Sequence, residues 1–474
     1  PAKQSDSQPY WGTTARQHAY TAYHGYWMKD LFRVDEHFGG PTRYDSTASG
    51  ASGGAEGWAV FDALVTACKN ANPPIEIMID IPINHTNPVN LGYSFYDSAS
   101  GTTRPAGFAG WGENGALFRD KAFVGAYGDY FLNGTKYTYT DTNWFYHHAG
   151  SGNNAVNETA FPGFGWLGLG DFNQTLTGSF SNVWGDPNAA PENVGPYNYL
   201  VDGLKKMIDH GVFNFRIDAT KHSEMPFLRK VTAALRSYAS TAYGKDLYFV
   251  GEWAGSGFPA WNGTSGYGGS FQLLNGGSLQ HYATFKDFYD GDPTANFDFQ
   301  LSYQFQESTT GRSGKSFETM ANYMSARDSW FANNVPVRND YQMNMLNNQD
   351  QPRFMQQIRY YGSSQYDEAT AQKMMKTYLG VLLTSRGIPM LYYGDEIFLY
   401  HNNSSKTDDQ DPYNRPMMPA GFENLATSNP SVYGTTKSAL KKLADLRRNS
   451  EALSAGSFNS KWANANIACF ERVY

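Results

Sequence analysis

Apolar residues along this chain fall into two alternating kinds of segment. Short continuous apolar runs are typical of buried strands, and longer runs with helical spacing are typical of amphipathic helices. The runs that predict strands are Ile75–Ile83, Val212–Asp218, Leu247–Glu252, Phe297–Tyr303, Gln342–Leu346 and Met390–Tyr393. The runs that predict helices are Ala55–Lys69, Tyr197–His210, Phe227–Tyr238, Ser316–Trp330, Ala369–Arg386 and Thr435–Arg448. The alternation predicts βα units and therefore an α/β fold with a parallel sheet.

Two parts of the chain depart from this alternation. Residues 86–170 are rich in Gly, Asn, Ser and aromatic residues, lack helical spacing and form a stretch too long for an ordinary loop. They predict a domain inserted between residues 1–85 and residues 171–450. The last segment, residues 451–474, looks like the first strands of an antiparallel domain.

Composition narrows the class of partner. The chain has 474 residues, of which 17% are charged, and its formal net charge is −7, which does not favour nucleic acid or an acidic membrane surface. No apolar stretch reaches the length of a membrane-spanning helix. Aromatic residues make up 16% of the chain. Part of them must form the core, and the rest suit carbohydrate, because sugar rings lie flat on aromatic faces.

Polar side chains gather where the predicted strands end. Arg216 and Asp218 stand two positions apart, so both project from one face of their strand. An Arg beside an Asp favours the ionised carboxylate, as a nucleophile requires, although a structural ion pair would have the same pattern. Glu252 ends the next strand beside Trp253, and apolar packing would raise its pKa toward that of a general acid. Asp350 follows another strand.

A fourth strand end, Asn84-His85, follows the run Ile75–Ile83. In their order along the chain, these four strand ends resemble the four signature regions of the α-amylase family of retaining glycoside hydrolases and transglycosylases. The closest resemblance is to bacterial α-amylases and cyclodextrin glucanotransferases. Further segments similar to the family are Tyr23–Trp27, His147-His148, Leu169–Asn173, Tyr392–Glu396 and Asp411–Pro416.

The resemblance implies a TIM (β/α)8 barrel, with domain B inserted after the third strand and the start of an antiparallel β C-terminal domain. The six predicted strands would be the third to the eighth of the barrel. Only 22 residues precede Tyr23. The first two barrel strands are therefore expected to be missing from this sequence, together with most of the C-terminal domain.

The resemblance also implies the roles of the three carboxylates. Asp218 is expected to be the nucleophile, and Glu252 the general acid and base. Asp350 is expected to bind the 2- and 3-hydroxyls of the sugar in the cleaved position and to stabilise the transition state. This agrees with the chemistry of retaining glycosidases.

Around these three, the resemblance implies a set of substrate contacts. Arg216 would orient Asp218, His85 would reach the sugar 6-hydroxyl, and Tyr26 would form a stacking platform. Lys221 and His222 would lie on the leaving-group side, where a helix N-terminal turn without ligand contact is the alternative.

One further contact and one metal complete the expected site. Arg353 is expected to pair with Asp350 or to contact sugar, although an Arg in a loop is often a plain surface residue. Calcium is the expected cofactor, since its ligands are oxygen atoms. The matching positions are Asn84, Asp171 and the main-chain carbonyl of His222, in a site that joins domain B to the barrel.

Three positions depart from the family pattern. Gln349 replaces the His that normally precedes the aspartate of the fourth region, so one donor to the sugar hydroxyls loses its ability to carry charge. Leu167 and Ala254 replace aromatic residues that cyclodextrin glucanotransferases carry, which disfavours cyclodextrin formation.

Three functions are consistent with these features. The first is a retaining glycosidase of the α-amylase type that cleaves α-1,4 bonds in starch-like glucans and maltooligosaccharides. The alternative is a glucanotransferase not optimised for cyclodextrins, and a minor alternative is an inactive glucan-binding protein. The resemblance leads us to expect a secreted monomer whose partner is an α-glucan, with neither nucleic acid nor membrane involved.

Overall fold

The computed structural model describes nine longer stretches, the single residue Tyr26 and several short strands. The longer stretches are residues 28–34, 53–83, 196–220, 225–253, 294–311, 314–334, 342–361, 366–401 and 413–474. The short strands lie at 2–4, 8–9, 19–20, 85–88, 95–97, 102–104, 169–171, 272–275 and 278–281. The chain divides into two compact units. The first is Pro1–Glu252 with Ser270–Ala283, and the second is Trp253–Gly269 with Thr284–Tyr474.

The first unit is built around three parallel strands. Its elements are β1 Ala2–Gln4, β2 Gln8–Pro9, β3 Ala19–Tyr20, β4 Met28–Val34, α1 Gly53–Lys69, β5 Met78–Pro82, β6 His85–Pro88, β7 Phe95–Asp97, β8 Thr102–Arg104, β9 Leu169–Asp171, α2 Pro196–Asp209, β10 Asn214–Asp218, α3 Met225–Tyr243, β11 Tyr248–Gly251, β12 Gln272–Asn275 and β13 Ser278–His281. Strand β10 lies between β5 and β11 and pairs parallel with both. Phe215 on β10 stacks on Phe249 of β11 with ring centroids 5.6 Å apart. Both rings are buried, as expected for a parallel sheet.

Strands β6 and β9 connect the two ends of the predicted insertion. They pair antiparallel, with His85 opposite Asp171 and Pro88 opposite Leu169. The two ends of the predicted insertion therefore lie next to each other. Most of residues 86–170 lies outside the described residues, so the extent of the inserted domain stays a prediction. The antiparallel pair of β1 and β4 was not predicted from the sequence.

The second unit combines parallel strands, helices and a C-terminal hairpin. Its elements are β14 Ala295–Asn296, α4 Phe299–Thr310, α5 Phe317–Asn334, β15 Met343–Met345, α6 Phe354–Tyr360, α7 Glu368–Thr384, β16 Ile388–Met390, α8 Leu425–Ser428, α9 Thr435–Arg448, α10 Glu451–Ser454, β17 Ser457–Ala463 and β18 Ala468–Val473. Short 3-10 turns lie at Asp395–Ile397 and Phe422–Asn424, and a π turn lies at Pro430–Gly434. Strands β15 and β16 pair parallel, and Phe297 forms a parallel bridge to Met343. The final two strands form an antiparallel hairpin, which confirms that part of the prediction.

One predicted strand is wrong. Most of Phe297–Tyr303 belongs to helix α4 rather than to a strand. Asp298 caps this helix, because its Oδ1 accepts the backbone N–H of Leu301 at 2.9 Å. A short apolar run fits a buried helix as well as a buried strand, and the N-cap decides between them here.

The other predicted elements are present with adjusted ends. Strands β5, β10, β11 and β15 lie inside the predicted ranges, and the six predicted helices are found, with Thr435–Arg448 at the predicted bounds. The last strand is displaced from Met390–Tyr393 to Ile388–Met390. Gly387, just before it, has φ +108°, and a Cβ there would lie 2.7 Å from the Gln342 carbonyl oxygen. Only glycine fits this entry to the strand.

Three arginines meet the end of helix α7. Arg472 donates to the carbonyl of Thr384 at 2.9 Å, and Arg327 donates to that of Arg386 at 2.9 Å. Arg447 donates to the carbonyl of Ser385 at 2.8 Å and to that of Leu383 at 3.1 Å. The last carbonyls of a helix lack intrahelical partners, and these cations satisfy them.

Within the described residues, the parallel strands form a set of three in the first unit and a pair in the second, so closure of an eight-stranded barrel is not observed among them. No helix in this part of the chain combines the length and apolar character needed to span a bilayer.

Candidate active site

Arg216 is the centre of a buried charge cluster at the end of β10. Its Nη1 lies 2.5 Å from Asp218 Oδ1 and 2.7 Å from Asp80 Oδ1. Its Nη2 lies 2.8 Å from Glu252 Oε2. Arg216 and Asp218 share a face because alternate strand residues project together, as predicted. Asp80 reaches the same guanidinium because the parallel register sets it opposite Arg216.

Tyr26 completes the polar contacts of this cluster. Its hydroxyl donates to Asp80 Oδ2 at 2.7 Å and accepts from Arg216 Nη1 at 3.2 Å. Burial raises the pKa of Tyr26 well above its usual value, although Arg216 opposes the shift. The phenol therefore keeps its proton and acts as a donor. Its use as a platform for a sugar ring stays a prediction.

The turn after Asp218 is tied to Glu252. The backbone N–H of Ala219 donates to Glu252 Oε2 at 3.2 Å, and the N–H of Thr220 donates to the Glu252 main-chain carbonyl at 2.8 Å. Ala219 has φ +49°, a left-handed conformation that costs free energy for a residue with a Cβ. The strained turn holds the two buried carboxyl groups, those of Asp218 and Glu252, next to each other.

The electrostatics of the cluster favour a retained proton. Burial raises the pKa of Asp218 well above its usual range, Arg216 lowers it, and Glu252 and Asp80 raise it again. The expectation was that Arg216 keeps Asp218 ionised; among the described residues its charge is shared by three carboxyl groups. The carboxyl groups of Asp218 and Glu252 contact the same guanidinium. Such a pair shares a proton and titrates as a unit.

Asp350 lies in a separate polar cluster of the second unit, on the loop between β15 and α6. Asn348 Oδ1 accepts the backbone N–H of Asp350 at 2.9 Å, which fixes the turn. Arg415 Nη2 donates to Asp350 Oδ1 at 2.9 Å. The main-chain carbonyl of Gln349 accepts from Asn414 Nδ2 at 2.6 Å and from Arg415 Nε at 3.1 Å. The Asp350 side chain is 48% exposed and so faces solvent.

Arg353 differs from its sequence expectation. It is fully buried, and its ion pair is with Asp395 at 3.6 Å, not with Asp350. Its guanidinium lies 4.0 Å from the ring centroid of Tyr392 and 4.2 Å from that of Tyr393. A buried arginine stacked on aromatic rings in this way stabilises the loop that carries Asp350. It is not available to sugar in this conformation. Asp350, the partner expected for Arg353, pairs with Arg415 instead.

Several predicted site residues are only partly described. Asn84, Lys221 and His222 lie outside the described residues, and the structure describes the backbone alone for His85 and Asp171. Their substrate and calcium contacts stay predictions. Within the described part of the chain, no group of three or more His, Cys, Asp or Glu side chains is arranged to hold a metal ion.

Sequence reasoning missed three charged members of these clusters, namely Asp80, Asp395 and Arg415. A signal existed for Asp80, since it is the one charged residue within the run Ile77–Ile83. Arg415 lay in a segment that resembled the family, but its partner is 65 positions away and no local pattern connects the two.

Comparison with known proteins shows which family this chain resembles. The family model described as "Alpha amylase, catalytic domain" matches residues 11–424. A cyclomaltodextrin glucanotransferase of Klebsiella oxytoca is 29% identical over 465 residues, covering 95% of this chain and 57% of that protein. An α-amylase of Niallia circulans is 25% identical, covering 96% of this chain and 63% of that protein. The chain thus spans less than two thirds of the length of either curated relative.

One solved structure is similar to this chain in its fold. The crystal structure of CldA, a cyclomaltodextrin glucanotransferase with a three-domain ABC distribution, has a TM-score of 0.60 and 21% identity, covering 100% of this chain and 72% of that chain. At this identity the likeness concerns the fold alone. Together with the family match, it implies a TIM barrel with additional domains. Because the family model matches most of the sequence, residues 11–424, this chain belongs to the α-amylase family.

Proposed function

We propose that the chain is a retaining glycosidase that cleaves α-1,4 bonds in starch-like glucans and maltooligosaccharides. The observation that carries the proposal is the buried Asp218–Glu252 pair, held on the two terminal nitrogens of the Arg216 guanidinium. One proton shared by two adjacent carboxyl groups supplies both an acid and a nucleophile.

The proposed reaction has two steps. The ionised carboxylate of Asp218 attacks the anomeric carbon, while Glu252 gives its proton to the leaving glycosidic oxygen and the C–O bond breaks. In the second step Glu252 takes a proton from water, whose oxygen attacks the anomeric carbon and releases Asp218. Two inversions leave the product with the α configuration of the substrate. Asp350 would bind the sugar hydroxyls in the transition state.

Arg216 supports both steps. As the carboxylate of Asp218 becomes an ester in the first step, it loses its negative charge, and the guanidinium keeps contact with Asp80 and Glu252. Tyr26 and Asp80 contact the same terminal nitrogen of the guanidinium as Asp218 does, and they stay in place when Asp218 becomes an ester. The cation therefore stays in place while the charges around it change, which is the preorganisation that electrostatic catalysis requires.

Transfer to a sugar hydroxyl is the second candidate reaction. The relatives named above include a glucanotransferase and an α-amylase, and Gln349 departs from the family pattern beside Asp350. The absence of aromatic residues at Leu167 and Ala254 argues against cyclisation of a glucan. A catalytically silent glucan-binding protein is the minor alternative, and the intact carboxyl pair argues against it.

A calcium ion is also part of the proposal. The carbonyl and carboxylate oxygens of Asn84, Asp171 and the His222 main chain are a donor set that suits calcium. His85, the next residue in sequence after Asn84, pairs with Asp171 through the backbone, which supports the set. The ion would have a structural role, joining the inserted segment to the sheet.

The decisive experiment follows the products formed from maltoheptaose. We expect shorter maltooligosaccharides whose new reducing ends are initially α, as read by proton NMR. Asp218→Asn keeps the shape of the side chain but removes the nucleophile, so turnover should fall by at least about 10³-fold. The surface substitution Asp445→Asn serves as a matched control and should leave turnover unchanged.

Three outcomes would argue against hydrolysis with retention. Products longer than maltoheptaose as the main fraction would favour transfer. Binding of glucan without any cleavage would favour the silent protein. Initial β products would contradict the double displacement itself.

A further inference from the structure

The loop that carries Asp350, residues 346–353, is fastened to the segment that follows strand β16. Several side-chain contacts connect them within the second unit. Asn347 Nδ2 donates to both carboxylate oxygens of Asp395, at 3.2 and 3.3 Å. The Gln349 carbonyl accepts from Asn414, and Arg415 holds both Gln349 and Asp350. The position of Asp350 therefore depends on residues far along the chain.

Arg415 makes the contact that reaches the carboxylate itself. Its Nε donates to the Gln349 main-chain oxygen at 3.1 Å, and its Nη2 donates to Asp350 Oδ1 at 2.9 Å. A guanidinium is planar, and its donors have fixed directions. When one edge binds a backbone carbonyl and a carboxylate on adjacent residues, it fixes the direction of that carboxylate relative to its own loop.

Exposure shows which partner is the fixed one. The Arg415 side chain is 18% exposed, whereas that of Asp350 is 48% exposed. A half-exposed Asp on a turn would otherwise exchange between rotamers, at a cost in the fraction of time spent in a productive orientation. The more buried arginine therefore orients the more exposed carboxylate.

The charges of the side chains near Asp350 also support the role of Arg415 in orienting it. Gln349, next to Asp350, is uncharged, so it cannot supply a cation to this side of the loop. Arg415 supplies one at hydrogen-bonding distance, and a charge-assisted hydrogen bond is shorter and stronger than a neutral one.

We propose that Arg415 is a positioning residue that acts on the reaction through Asp350. This inference rests on the proposed function, because it assigns to Asp350 a role in the transition state. Arg415 touches the reacting sugar only through the carboxylate that it orients. Its loss should therefore weaken binding of the transition state more than binding of the substrate.

The test compares Arg415→Ala, Arg415→Lys and the matched control Arg448→Ala in the full chain, with maltoheptaose as the substrate. Arg448 is a surface arginine that pairs with Asp445 at 3.2 Å. For Arg415→Ala we expect kcat to fall by roughly 10- to 100-fold, with KM changed by less than about threefold. Arg448→Ala should match the wild type in both constants.

Two further measurements separate positioning from a general structural role. Arg415→Lys keeps the charge but loses the two-pronged contact, so it should recover only part of kcat. Added guanidinium ion at low millimolar concentration should raise kcat of Arg415→Ala and leave Arg448→Ala unchanged. Circular dichroism establishes that each variant is folded, and Arg415→Lys carries the test if the alanine variant does not fold.

The remaining outcomes overturn the inference in distinct ways. A raised KM with unchanged kcat would mean that Arg415 contacts sugar directly. A lysine variant with wild-type kcat would show that the two-pronged contact of the guanidinium is not needed. An active wild type with an unchanged Arg415→Ala would defeat this inference alone, whereas an inactive wild type would defeat the proposed function and this inference with it.

Discussion

At the scale of single residues, the two polar clusters are organised around buried arginines with several acceptors each. Arg216 contacts three carboxyl groups, and Arg353 contacts two tyrosine rings and Asp395. A buried charge needs such partners because its desolvation is costly. Two of these partners, Asp218 and Asp395, have raised pKa values, which makes them accessible to pH experiments.

Asp395 is the partner whose pKa shift can be tested most directly. Burial raises its pKa from 3.8 to about 7, while Arg353 and Asn347 oppose the shift. The folded protein therefore keeps a proton that the unfolded chain releases above pH 4. The contribution of Asp395 to stability is fully present below about pH 4 and is lost as the pH rises to about 7.

Asp395→Asn should remove this pH dependence while preserving an acceptor for Asn347. We expect the wild type to lose stability relative to the variant as the pH rises from 4 to 7, by at most about 1.4 kcal/mol per pH unit. Urea denaturation at several pH values measures the difference, with the surface substitution Asp202→Asn as the control. A difference that is independent of pH would contradict the raised pKa.

The sequence predicted pairs of residues that are close along the chain and missed those that are not. Arg216 and Asp218 are two positions apart, so strand geometry alone predicts their shared face. Asp80 meets Arg216 only through the register between β5 and β10, and Arg415 meets Asp350 through loops of the second unit. Neither of these long-range contacts has a local signature in the sequence.

At the scale of elements, the end of helix α7 shows how distant elements satisfy one backbone. Its last carbonyls accept from arginines of α5, α9 and β18. Burial lowers the pKa of Arg447, which means that holding its charge there is opposed by desolvation. Hydrogen bonds to the carbonyls offset that cost.

Arg447→Ala should therefore destabilise the second unit. The substitution leaves the carbonyls of Leu383 and Ser385 without this donor, and we expect a loss of about 1–3 kcal/mol in the free energy of unfolding. Urea denaturation monitored by circular dichroism measures the change. The neighbouring Arg448→Ala removes an exposed arginine and should change stability by less than about 0.5 kcal/mol. Equal effects of the two substitutions would show that the buried contacts do not stabilise the fold.

Amphipathic helices were the most predictable elements, because their apolar faces extend over several turns. Short strands were less so. The run Phe297–Tyr303 was assigned to a strand from its apolar character, although Asp298 at its start had the type of an N-cap residue. Giving the cap more weight than the apolar run would have predicted helix α4.

At the scale of the whole molecule, the proposed calcium site connects the inserted segment to the sheet. A metal that binds only the folded state stabilises it by mass action. We expect excess chelator to lower the melting temperature, and added calcium to restore it more effectively than added magnesium, because the larger ion accepts irregular oxygen sites. Differential scanning calorimetry measures both shifts. A melting temperature unaffected by chelator would remove calcium from the account.

The pairing of β6 with β9 has a consequence for how such a chain can diversify. Pro88 and Leu169 lie opposite each other, so the two ends of the intervening segment are held at the spacing of one strand pair. A segment of different length from a relative, grafted between these two strands, would have to fit the same spacing at its ends. Substrate preference could then change by exchange of this segment, without any new solution to the packing of the core.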